Sequence, residues 1–155
     1  MANSHSEEAC RLFAEEGLSC AQAVFVAFRD LTGMDERTAM MLSSSFGAGM
    51  GRLREVCGTC SAMFMAAGLL YGLEPGYSFE DKAEHYRRIQ DLAARFREVH
   101  GSIVCRELLK GLKVTSDPTP ERRTEHYYKV RPCIKFVRTA AEILDQYIAE
   151  QESEE

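Results

Sequence analysis

The sequence lacks a surplus of positive charge: 19 lysines and arginines face 24 aspartates and glutamates, giving a formal net charge of -5 at pH 7. Phosphate backbones are bound by concentrated basic surface, so a nucleic-acid partner is not expected. No apolar run reaches the roughly 20 residues that span a bilayer. The longest, AMFMAAGLLYGL over residues 62–73, falls well short, and no membrane insertion is expected. The opening MANSHSEEAC has acids where an export leader would have positive charge followed by an apolar stretch. The expected location is therefore the cytoplasm. Alternating strand patterns, internal repeats and interdomain linkers are missing too, which excludes a β-rich fold and a tandem array.

What is present reads as helix. With 155 residues, 45% of them apolar and 28% charged, the chain suits one soluble domain with a real core. We expect that domain over residues 1–149, and an acidic tail, EQESEE at 150–155, that frays. Ser19 is placed to cap a helix with Ala21, Val24, Phe25 and Phe28 inward and Gly33 as its stop. Asp35 caps another through about Ser44, after which Gly47, Gly49 and Gly51 break the pattern. From about Arg54 to Gly72 the pattern is apolar nearly all round, as in a central helix packed on several sides. A long charged helix follows over 78–100, closed by Gly101. Ser102 is a cap for a helix to about Leu112, and Thr119-Pro120-Glu121 starts another that ends before Pro132. The last carries Val137, Ala140, Ala141, Leu144, Tyr147 and Ile148 inward. The expected fold is all-α, a bundle of about seven or eight helices around a central apolar one.

Six cysteines, at 10, 20, 57, 60, 105 and 133, are many for a reducing compartment, where a passive disulfide framework is not expected. Four of them fall in first turns: Cys20 follows its cap, Cys57 opens the central helix behind the glycines, Cys105 follows Ser102, and Cys133 follows Pro132. Unpaired N–H groups at a helix start favour an anion, which biases such a thiol toward thiolate. Cys60 is one helical turn from Cys57 and shares its face. Cys10 lies mid-helix and reads as core.

The segments GLSCAQAVFVAF, FGAGMGRLREVCGTCSAMFMAAGLLYG, GSIVCRELL and RPCIKFVRTAAEIL together resemble the C_GCAxxG_C_C family of redox-active proteins, from about Gly17 to Ile148. The family cysteines correspond to Cys20, Cys57, Cys105 and Cys133. Within the motif, Thr59 stands where alanine is usual, Ala62 replaces the second glycine, and Cys60 takes an apolar place. The resemblance implies a redox role with an iron–sulfur cluster or another metal.

Three chemistries remain open. Four thiolates, Cys20, Cys57, Cys105 and Cys133, are the ligand set of an iron–sulfur cluster or of one class of zinc site, for electron transfer with a redox partner protein. The long intervals between them look nothing like a zinc ribbon, so tertiary folding would have to assemble the site. Alternatively, Cys57 with Cys60 has oxidoreductase spacing for thiol–disulfide exchange, although no strand precedes it as in thioredoxin, and Cys57 could equally pair with another of the four family cysteines. The third reading is a binding module with inert thiols. The glycine loop reads as a turn needing positive φ rather than a phosphate cradle, since no P-loop lysine follows. Arg52 and Arg54 read as solvated, and His100 is the one histidine near enough in sequence to serve the site. An apolar central helix also leaves pairing with a second copy open.

Overall fold

Short polar side chains set the helix starts. Ser4, Ser19, Asp35 and Ser78 each accept a hydrogen bond from the backbone N–H three residues on. In the computed structural model, which describes residues 4–154, the helices are α1 (His5–Ala14), α2 (Cys20–Ala27), α3 (Arg29–Thr32), α4 (Glu36–Ser43), α5 (Gly47–Met50), α6 (Gly58–Tyr71), α7 (Phe79–His100), α8 (Cys105–Leu108), α9 (Glu125–Val130) and α10 (Cys133–Ser153). Three are single turns, one of which, α5, is left-handed and not a true α-helix, and this leaves seven longer helices among the described residues. The fold is all-α, as its patterning implies. The described residues contain no strand, only an isolated antiparallel bridge between Val56 and Val104, and no helix long and apolar enough to cross a membrane.

Two helices share the centre. α6 packs on α2, α7 and α10, and α2 on α1, α4, α6 and α10. α2 is enclosed over Ala23–Phe28, whereas α6 exposes Leu69 near its end. The phenylalanines Phe13, Phe25, Phe28 and Phe96 are the largest side chains fully removed from water. Each contributes on the order of 2–3 kcal/mol by that burial.

Several boundaries differ from the expected ones, each for a local reason. The helix after Ser19 breaks at Phe28, whose φ of -96° and ψ of 13° start the separate turn α3. The central helix begins at Gly58 and not near Arg54, because Val56 is held in the bridge. Ser102 does not cap: its hydroxyl accepts from Val104 N–H in a tight turn, and α8 opens only at Cys105. Likewise Thr119 N–H donates to the Asp117 carboxylate, so the next helix waits for Thr124, which caps α9. At the other end α10 runs through Ser153.

Candidate functional site

The four family cysteines sit where helices begin. Cys20, Cys105 and Cys133 are the first residues of α2, α8 and α10, and Cys57 is the N-cap of α6. The bridge sets two of them side by side: Cys57 N–H donates to Ile103 O at 2.7 Å, and Cys105 N–H to Glu55 O at 2.6 Å. Glycine brings up a third. A Cβ on Gly58 would lie 2.7 Å from Cys20 Sγ and 2.7 Å from Phe46 O, so only glycine lets α6 start against that sulfur.

The loop between α4 and α6 is built in the wrong hand. Ala48, Gly49, Met50, Gly51 and Arg52 all have positive φ, between 56° and 73°, and Arg54 follows at 63°. Left-handed geometry costs a side-chain-bearing residue about 1–2 kcal/mol, and four such residues take it here. Hydrogen bonds from Gly51 N–H to Gly47 O and from Glu55 N–H to Gly49 O hold the run in place. Its yield is orientation. Ala48 N–H reaches Cys20 as a donor, and Gly49 packs so closely that a Cβ there would lie 2.8 Å from Cys105 Cβ. The turn expected of the glycines is therefore present, and it extends well beyond them.

All four thiols line one cavity of about 290 Å³, near the lower end of the roughly 300–1,000 Å³ of ligand pockets. Arg52, Arg54, Arg123 and Arg131 also line it, with Glu121 as the one carboxylate on its wall, and Tyr127 and Phe13 close it. One wall comes from the helix-free segment 109–124. That segment is pinned by Arg52 Nε to Asp117 O at 2.6 Å, by Arg54 Nε to Thr115 O at 3.0 Å, and by the ion pair of Arg131 with Glu121. Arg54, expected to be solvated, is 6% exposed, and its second guanidinium nitrogen donates to Cys105 Sγ at 3.7 Å. Arg123 stacks on Phe13 with its guanidinium 4.3 Å from the ring centre.

The thiols do not have the lowered pKa that helix starts alone would confer. Burial pushes Cys20 and Cys133 up to about 12, and their neighbouring thiols, as prospective like charges, push the same way. Cys57 is raised well above its ordinary value, first by the adjacent Cys60 side chain and then by burial. Cys105 is raised by burial, against the pull of Arg54. Desolvation outweighs the helix starts because burial among apolar side chains disfavours the charged thiolate. The same burial, with Cys133 beside it, lifts the Tyr127 hydroxyl to about 12.

Cys60 is fully buried and does not line the cavity, but it stands behind Cys57, whose Sγ is 3.1 Å from Thr59 Oγ1. Cys10 is a core residue. His100 is away from the site: its Nε2 bonds to Thr139 Oγ1 at 2.8 Å and its ring lies against Phe96 and Phe136. Ala62, in the place of a family glycine, is buried within α6 without displacing it. Tyr127, Arg123, Arg131 and Glu121 carry no sequence signal as site residues beyond the nearness of Arg131 to Cys133; tertiary folding recruits them. Among the described residues no three His, Cys, Asp or Glu side chains are grouped as ligands of one metal ion.

Fold and site together define an all-helical protein with a buried, thiol-lined and arginine-lined cavity. The chain belongs to the C_GCAxxG_C_C family, described as "Putative redox-active protein", whose profile matches residues 18–147. No curated protein and no solved structure matches it.

Proposed function

We propose that the chain works as a redox protein in which Cys20, Cys57, Cys105 and Cys133 hold an iron–sulfur cluster or another thiolate-bound metal group for electron transfer. One observation carries this reading: four thiols from helix starts far apart in sequence line a single cavity. The donor set matches the four-cysteine ligation of such clusters, and bound iron would supply one-electron chemistry. A lone tetrahedral ion fits the sulfurs as they stand less well, since no three of them are grouped as its ligands. The chain's own part is to dehydrate the site, donate Ala48 N–H toward Cys20, and set Arg54 beside Cys105. The test is anaerobic purification with a visible spectrum and assays for iron, zinc and acid-labile sulfide. Bound iron with sulfide is the expected result, and a colourless, metal-free protein after reconstitution overturns it.

A second reading, dithiol exchange, is favoured by Cys60 standing directly behind Cys57. Oxidation would join the two sulfurs, release two protons and pass two electrons to an acceptor disulfide. It predicts a two-electron couple in a thiol-trapping titration that vanishes in Cys60→Ser. Unreactive thiols in both experiments would leave the module with inert cysteines.

A further inference from the structure

The cavity carries more positive charge than the thiol chemistry accounts for. Four arginines stand on its wall against one carboxylate, in a protein whose net charge is -5. Glu121 is committed to Arg131. Among the described residues, no carboxylate lies within ion-pair distance of Arg54 or Arg123. Their partners are neutral. Arg54 donates to a backbone carbonyl and a thiol, and Arg123 to the carbonyls of Phe13 and Leu18 and to the Tyr128 hydroxyl. Such bonds satisfy donors without neutralising the cation, and buried cations are ordinarily paired. Arg54 is 94% buried as a residue, but its second terminal nitrogen, which has no hydrogen-bond partner among the described residues, is not sealed from solvent and so is open to a ligand.

We infer that this cavity binds a small oxyanion, seated between Arg54 and Arg123 with Cys105 at its side. Its size admits an inorganic oxyanion or a short ester of one. A guanidinium suits such a ligand because its fork meets two oxygens at once. Steering follows from the field: in a protein of net negative charge, an arginine-lined pocket directs a small anion to one place. The inference shares the cavity with the proposed redox site and not its chemistry. Failure to bind iron or sulfide leaves it standing.

The test uses the full-length, reduced, chelator-treated protein. Calorimetric titrations with inorganic sulfate, inorganic phosphate and glycerol 3-phosphate separate free oxyanions from a phosphate ester. One-to-one saturable binding of at least one is expected, weakened tenfold or more in Arg54→Met and unchanged within twofold in Arg87→Met, an exposed arginine of α7. Arg54→Lys, which keeps charge but loses the fork, is expected between the two. Should neither Arg54 variant fold, the wild type decides: saturating anion is expected to slow alkylation of Cys105 and not of Cys10. Binding of none of the three ligands, equal affinity in folded Arg54→Met, or no protection of Cys105 overturns the inference and leaves the arginines as pins for segment 109–124.

Discussion

At Gly58 a single hydrogen atom separates a working contact from a collision. The Cβ of an alanine would meet Phe46 O, a backbone atom that cannot swing away, as well as Cys20 Sγ. Gly58→Ala is therefore expected to destabilise the protein by about 1–3 kcal/mol, the usual cost of overpacking, measured by urea denaturation. The thiols supply a second residue-scale test. A raised pKa means little thiolate at neutral pH, so in the metal-free, reduced protein Cys20 and Cys133 should alkylate far more slowly at pH 7.5 than an unburied thiol. Their rates should climb as pH approaches about 12. Rapid labelling of both at pH 7.5 in folded protein would contradict the burial argument. The positions of these cysteines are legible in the sequence through Ser19, Pro132 and the glycine loop. Their pKa is not, because desolvation depends on Tyr127, Phe13 and segment 109–124, none of them sequence neighbours of all four thiols.

Between elements, the clearest coupling is His5. Its ring stacks on Phe28 with centres 4.3 Å apart, while Nδ1 meets Asp145 at 2.6 Å and Nε2 meets Asp30 at 2.9 Å, so α1, α3 and α10 join at one imidazole. The hydrogen bond to Asp145 raises its pKa above 6.5, burial opposes the shift, and Asp30 adds to it. A folded pKa above the unfolded one gives stability that is fully present below about pH 6.5 and is lost as pH rises through the folded value. Denaturation midpoints should thus fall as pH rises above about 6.5, and this slope should flatten in His5→Gln. The left-handed run 48–54 makes a different case at the same scale. Glycines at 47, 49 and 51 announce a turn, but Ala48, Met50 and Arg52 carry no such signal. Their φ values are imposed by the packing of Gly49 on Cys105 and by the hydrogen bonds that span the run. Ala48→Gly, which removes the steric penalty of about 1–2 kcal/mol but loosens the unfolded chain by about 0.4–1 kcal/mol, is expected to stabilise slightly.

Over the whole molecule, the helices were legible where periodicity and caps agreed, as at α2, α4 and α7, and at α10 from its periodicity and the Pro132 that precedes it. The least legible stretch was 102–124, whose polar residues make local turns instead of caps and whose order comes from arginines reaching across the fold. That gives the segment its own stability. Arg123 ties it to the end of α1 through Phe13 O at 3.3 Å and to Leu18 O at 3.1 Å. Losing those bonds and the stacking on Phe13 costs about 2 kcal/mol, or roughly a 30-fold rise in local opening. Hydrogen exchange in Arg123→Ala should accelerate in 109–124 and leave α2 and α6 protected. Equal acceleration throughout would show that the segment is no separate unit.

The pairing of α1 with α10 has a consequence for how the fold closes. α1 packs chiefly on α10, two helices far apart along the chain, so their contact closes a long loop and is a slow, non-local step of folding. Until it forms, the part of α1 that α2 does not cover stays open, a place for a chaperone to hold. Cys133 arrives on that same closing helix, so the thiol-lined cavity is completed in the same step.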